Sequence, residues 1–105
     1  MIVKKVWGFE EIICNTKEYC TKKLHLDKNH QCSLHYHKIK DEVFIIHEGE
    51  VQMEYAGEIK LMLPGDYIRI FPGEPHRFKG IKNTIIIESS SHHEDNDSYR
   101  LEPSQ

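Results

Sequence analysis

Apolar and polar residues alternate along this chain with the two-residue period of β-strands, and no helical period persists over ten residues. Gln31–His37 alternates cleanly, with Ser33, His35 and His37 on one face and Leu34 and Tyr36 on the other. Tyr19–Leu26 alternates more loosely and stops at the turn cluster Asp27-Lys28-Asn29. Further strands are predicted at Glu10–Cys14, Glu42–Ile46, Glu50–Tyr55, Glu58–Leu63, Tyr67–Phe71, His76–Phe78 and Asn83–Glu88. Breaks fall at Lys38–Asp41, His47-Glu48-Gly49, Ala56-Gly57, Pro64-Gly65-Asp66, Pro72-Gly73-Glu74-Pro75 and Lys79-Gly80. Many short strands with Gly and Pro punctuation predict an all-β sandwich or barrel with little or no helix. Residues 90–105 are polar and read as a tail or strap rather than core, leaving a barrel core at about 19–89.

Composition bounds the function. A chain of 105 residues is one domain's worth, with 38% hydrophobic and 30% charged residues. The formal net charge of −3 argues against a nucleic-acid partner. Lys22-Lys23 and the pair Lys38 and Lys40 beside Asp41-Glu42 read as solvated surface. No apolar run approaches the ~20 residues that span a bilayer. The opening lacks the apolar stretch and small-residue cleavage site of a signal peptide, so a cytoplasmic location is expected. Cys14, Cys20 and Cys32 are odd in number and lack C-x-x-C spacing, which predicts buried or half-buried free thiols.

Histidine is the unusual component, at eight residues. His35 and His37 stand two apart on a strand, so both imidazoles project from one face and can reach a common point. Glu42 opens the next strand and would lie near them if the two strands pair as a hairpin. Two histidines and a carboxylate with open positions suit iron(II), manganese, nickel or zinc. His76 follows a Pro- and Gly-fixed turn, and a barrel can bring it across as a fourth ligand.

The spacing from His35 through Gly49 resembles the first motif of the cupin superfamily, G-x5-H-x-H-x3–4-E-x6-G. Gly65, Gly73 and His76 resemble the second, G-x5-P-x-G-x2-H-x3-N. Asn29 stands where the first motif opens with glycine, and Asn tolerates the left-handed backbone such a turn requires. Phe71 replaces the first proline of the second motif, with Pro72 following, and Gly80 replaces its final asparagine. The resemblance implies a small jelly-roll-like β-barrel holding one divalent metal ion (Zn, Mn, Fe, Ni or Co) on His35, His37, Glu42 and His76. By strand parity Ser33, Phe44, Ile46 and Phe78 share the inward face. Tyr67, Arg69 and Glu88 are candidates to reach a polar substrate.

Two end segments narrow the resemblance. Lys5-Val6-Trp7-Gly8-Phe9-Glu10 resembles the K-P-W-G-x-E opening of mannose-6-phosphate-isomerase-like small cupins, and Cys32-Ser33-Leu34-His35-Tyr36-His37 their S-L-H-x-H core. Ile87-Glu88-Ser89-Ser90, His92-His93-Glu94-Asp95 and Asp97-Ser98-Tyr99-Arg100 resemble their closing segment. Read without the resemblance, Trp7 is a hydrophobic plug, His92 and His93 are solvated tail, and Asp97 and Arg100 are a surface pair. With it, the implied substrate is a sugar or sugar phosphate and the reaction aldose–ketose isomerisation. Glu88, Lys40 and Glu48 are the candidate proton-transfer residues. A non-catalytic metal and small-ligand binder, or an iron(II) dioxygenase, would use the same ligands. A homodimer is expected, with an exposed edge strand near the N-terminus as its natural interface.

Overall fold

Alternation in Tyr19–Leu26 buries Cys20, Lys22, Leu24 and Leu26 on one face and leaves the intervening residues at the outer surface. The same rule organises the whole computed structural model, which describes residues 1–105. The strands are β1 (Ile2–Lys5), β2 (Gly8–Asn15), β3 (Tyr19–Leu26), β4 (Leu34–Tyr36), β5 (Glu42–Glu48) and β6 (Val51–Tyr55). They continue as β7 (Glu58–Met62), β8 (Tyr67–Ile70), β9 (His76–Gly80), β10 (Thr84–Ser91) and β11 (Tyr99–Glu102), with one 3₁₀ turn at Asp95–Asp97.

All pairings are antiparallel, in two sheets. One runs β1-β2-β3-β10-β5-β8, the other β11-β4-β9-β6-β7. This is the small jelly-roll architecture that the family resemblance implies, within the all-β class that the strand pattern predicts. The inner faces meet in a core that includes Leu24, Phe44, Ile46, Met53, Phe78 and Ile86, each at most 3% exposed. Phe44, Ile46 and Phe78 thus point inward as parity requires. Trp7 meets Phe78 edge-on at 5.4 Å, and Phe78 meets Phe44 edge-on at 5.7 Å, the T-shaped contact that aromatic quadrupoles favour. Trp7 is therefore a plug of the core.

Several expectations are corrected. The N-terminal β1 adds a strand where none was predicted. β10 runs on to Ser91, and the polar C-terminal segment contains β11, which pairs with β4. Gln31 and Gln105 exchange backbone hydrogen bonds of 2.7 and 3.0 Å beyond it. The segment is a strap stitched to the second sheet. Lys22 and Lys40 are 2% and 3% exposed, so neither is solvated surface. The three cysteines are free thiols, with Cys14 half-buried and the other two buried, as expected.

Asn29 has φ of 68°, the left-handed conformation that the motif's glycine would supply. Its amide donates to the Gly80 carbonyl at 2.8 Å. A Cβ at Gly80 would lie 2.9 Å from the Asp27 carbonyl oxygen and 3.0 Å from that of Lys82. Two of the three departures from the motifs, Asn29 and Gly80, therefore sit in one contact. The loop that Asn29 turns presses on position 80, where a side chain has little room.

Candidate metal centre

His35 lies on β4 and faces His76 of β9 directly across the ladder, with ring centroids 4.4 Å apart. His37 follows two residues on, just beyond β4, with its ring edge-on to His35 at 5.1 Å. One ring nitrogen from each of the three lies within 4.8 Å of the others. Glu42 comes from the opposite sheet. β4 and β5 do not pair as a hairpin, contrary to the route expected for Glu42. The carboxylate instead reaches across between the sheets, its Oε2 at 3.2 Å from His76 Nε2 and 3.4 Å from His37 Nε2.

Backbone carbonyls choose the tautomers. His35 Nδ1 donates to Ser33 O at 2.8 Å, His37 Nδ1 to Asp97 O at 2.9 Å and His76 Nδ1 to Glu74 O at 3.0 Å. A carbonyl only accepts, so each Nδ1 carries the proton and each Nε2 keeps a free lone pair. Orientation of a ligating imidazole through its other nitrogen is the usual support of a metal site. Glu42 Oε2 and His76 Nε2 are buried without a hydrogen-bond partner. Orphaned buried acceptors are costly, and a cation between them would satisfy both. This donor set fits a divalent metal ion.

Electrostatics agree with that chemistry. Burial pushes the His35 pKa down to about 3, with His76 adding to the effect, and burial also lowers His37. These rings stay neutral, the form that ligates. Burial alone would raise Glu42, but the Lys40 charge beside it favours the ionised carboxylate, and the balance lies on the lowered side.

A cavity of about 780 Å³ opens onto the cluster, lined by His35, His37, Glu42, Lys40 and Glu88 among others. Lys40 Nζ lies 2.6 Å from Glu88 Oε2, 3.6 Å from Glu42 Oε1 and 3.0 Å from His93 Nδ1. Burial opposes its charge, but Glu88 and Glu42 prevail and raise its pKa. The structure thus brings Lys40 and Glu88 to the cluster. Glu48 is exposed near the end of β5 and does not line this cavity. Nor do Tyr67, which is 69% exposed, and Arg69, which pairs with Asp41 at 2.6 Å on the outside.

The sequence reading misassigned three contributors. Asp97 is buried, and its carboxylate accepts from the amides of Lys38, Ile39 and Lys40 at 2.9 to 3.2 Å instead of pairing with Arg100. His93 reaches Lys40 rather than lying in solvent. Lys22 faces the cavity, and its place in the row with Leu24 and Leu26 was the available signal. The closing-segment resemblance contained His93 and Asp97 but gave neither a role.

Two antiparallel sheets closed around a histidine-rich cavity define a β-barrel protein with a site suited to a metal ion. The profile of the cupin domain matches residues 23–88, and the chain belongs to the cupin family. No curated protein matches it in sequence. Among solved structures it is similar to an RmlC-like cupin from Shewanella frigidimarina (TM-score 0.81, 22% identity, 91% of this chain and 86% of that one). KdgF from Halomonas sp. matches with TM-score 0.79 and 19% identity over 84% and 81% of the two chains. The capsular polysaccharide assembling protein CapF from Staphylococcus aureus matches with TM-score 0.83 and 17% identity, over 97% of this chain and 31% of that one. At these identities the likeness is one of fold. No helix is long and apolar enough to cross a membrane.

Proposed function

We propose that the chain is a metal-dependent cupin enzyme that isomerises a sugar or sugar phosphate between aldose and ketose. His35, His37, His76 and Glu42 would hold one divalent ion, with Zn, Mn, Fe, Ni and Co as the candidates. The observation that carries the reading is the set of three imidazoles turned by backbone carbonyls toward one point, with an orphaned Glu42 oxygen beside them.

When bound, the ion supplies Lewis-acid polarisation of a carbonyl or hydroxyl oxygen. The chain's own residues do the rest. Glu88, whose Oε2 also accepts from Ser90 Oγ at 3.2 Å, is the candidate base for moving a proton between C1 and C2 through an enediol. Lys40, kept protonated, holds the Glu88 carboxylate in place and offers a positive charge to the developing enediolate. The aromatic wall of Phe44, Phe78 and Trp7 excludes water from one side. The fold is shared with a protein of capsular polysaccharide assembly, which is compatible with a carbohydrate ligand.

A second reading has its own support. Glu88 is already engaged by Lys40 at 2.6 Å, which suits a binding module that senses or stores a ligand without turnover. Elemental analysis of the purified protein, then deuterium exchange at C2 of pentoses, hexoses and their phosphates, separates the two. Exchange supports the isomerase. Metal and ligand binding without exchange across the panel establishes the binding module.

A further inference from the structure

Lys22 is an expensive residue for its position. It projects from β3 between Cys20 and Leu24, is 2% exposed, and has one ion-pair partner, Glu10 Oε1 at 3.3 Å. An ammonium group carries three donors, so this contact leaves two without a protein acceptor. Burying a charge so incompletely paired is unfavourable unless something else completes it.

The surroundings point to an anion. Lys22, Lys5 and Arg100 all line the cavity, and neither Lys5 nor Arg100 has an ion-pair partner. The acids of the same cavity are committed elsewhere. Glu88 and Glu42 face Lys40, Glu94 lies 2.8 Å from His92, and Asp95 lies 2.8 Å from His93. With a divalent ion at the histidines, that ion and the four lining cations Lys5, Lys22, Lys40 and Arg100 outweigh the five lining carboxylates Glu10, Glu42, Glu88, Glu94 and Asp95 by one charge.

Register sets the spacing. Lys22 stands directly opposite Glu88 across β3 and β10, and Glu88 stands opposite Phe44, two residues from Glu42 on β5. Lys22 is therefore two strands from the strand of Glu42, about 10 Å across the sheet. One small extended ligand can address both ends of the cavity.

We propose that Lys22 is an anion subsite, with Lys5 and Arg100 setting the field around it. It would take the carboxylate or phosphate end of a polyhydroxy ligand whose carbonyl end lies at the histidines. Glu10 occupies Lys22 until that anion arrives. This assignment rests on the carbohydrate reading above and narrows it to acidic sugars.

Calorimetric titration of the metal-loaded protein at low salt tests it, with glucose, glucuronate, glucose 6-phosphate and inorganic phosphate as probes. Glucuronate or glucose 6-phosphate binds at least tenfold tighter than glucose, and the better of the two identifies the anion. Lys22→Met abolishes that difference and weakens phosphate binding, while metal content and glucose affinity stay unchanged. Glu10→Gln, which frees Lys22, shifts the anion affinities the other way and keeps the question open to test if the lysine variant folds poorly. Equal affinity for glucose and both acidic sugars overturns the subsite and leaves the carbohydrate reading standing. Lys22-dependent binding of phosphate with no binding of any sugar supports the subsite and removes the carbohydrate reading. Unaltered anion affinities in both variants show that Lys22 and Glu10 are only a buried structural pair.

Discussion

The backbone carbonyl of Asp97 accepts the Nδ1 proton of His37 at 2.9 Å while the Asp97 carboxylate caps the three amides that follow that histidine. The strap thereby fixes both the ring and the loop from His37 to Lys40. Replacing Asp97 by Ala leaves buried amides without acceptors, at about 1–3 kcal/mol for each group left unsatisfied. Asp97→Ala is expected to lower stability by roughly 2–4 kcal/mol in urea unfolding and to weaken metal binding 10–100-fold, as loss of supporting contacts does. Unchanged metal affinity in a folded Asp97→Ala protein would separate the strap from the site.

The same carboxylate sets an acid limit. Burial would raise its pKa, but the amides of Lys40, Lys38 and Ile39 hold it below the ordinary aspartate value. A depressed folded-state pKa means the stabilisation is complete above the unfolded value, about 3.9, and disappears as pH falls through the folded one. The wild-type protein should lose stability below about pH 4 more steeply than Asp97→Asn does. Urea midpoints measured from pH 6 down to pH 3 give the comparison. Parallel slopes for the two proteins would refute the role given to this carboxylate.

Metal retention follows the imidazoles. With His35 lowered to about 3 and His37 lowered as well, proton competition for these nitrogens begins below the ordinary histidine range near pH 6.5. Metal content should stay constant from pH 7 to pH 5, read by elemental analysis after dialysis. His37→Ala should strip the metal at pH 7, and a variant that kept it in stoichiometric amount would count against the four-ligand assignment.

The contact between Asn29 and Gly80 makes an asymmetric pair of predictions. Asn29→Gly keeps the left-handed turn and should change stability by less than about 1 kcal/mol. Gly80→Asn, the residue the family motif carries there, drives a Cβ toward the Asp27 carbonyl and should cost about 1–3 kcal/mol. Thermal unfolding of the two variants measures it. Equal effects would mean that the loop yields.

Strand parity carried much of this molecule. It put Ser33, His35, Phe44, Ile46 and Phe78 on inward faces because a barrel wall buries alternate residues, and those positions are buried or half-buried. It also held the answer for Lys22, which the reading by charge overrode. Parity says nothing where the chain leaves the ladder. Lys40 sits in the irregular link before β5, and its inward turn depends on Asp97, fifty-seven residues away along the chain. β11 was hidden because it is only four residues long, and the alternation of Tyr99-Arg100-Leu101-Glu102 is too short to stand out within a polar segment. The approach of Glu42 from the opposite sheet is a fact of topology that no local window contains.

The buried triad of Glu42, Lys40 and Glu88 gives the strongest separation of structure from chemistry. Lys40→Met leaves two buried carboxylates without their cation, a loss on the order of 3–5 kcal/mol. Glu88→Gln removes one of those charges and keeps a hydrogen-bonding group beside Lys40, so its effect on stability should be smaller. If Glu88 is the base, Glu88→Gln slows C2 exchange about 100-fold or more with metal content unchanged. The double variant then recovers part of the stability lost in Lys40→Met, because one unpaired charge is gone, yet recovers no exchange. Urea unfolding and deuterium exchange on the same four proteins supply both axes. Exchange in Glu88→Gln at the wild-type rate would remove Glu88 as the base and return Lys40 and Glu88 to a purely structural pair.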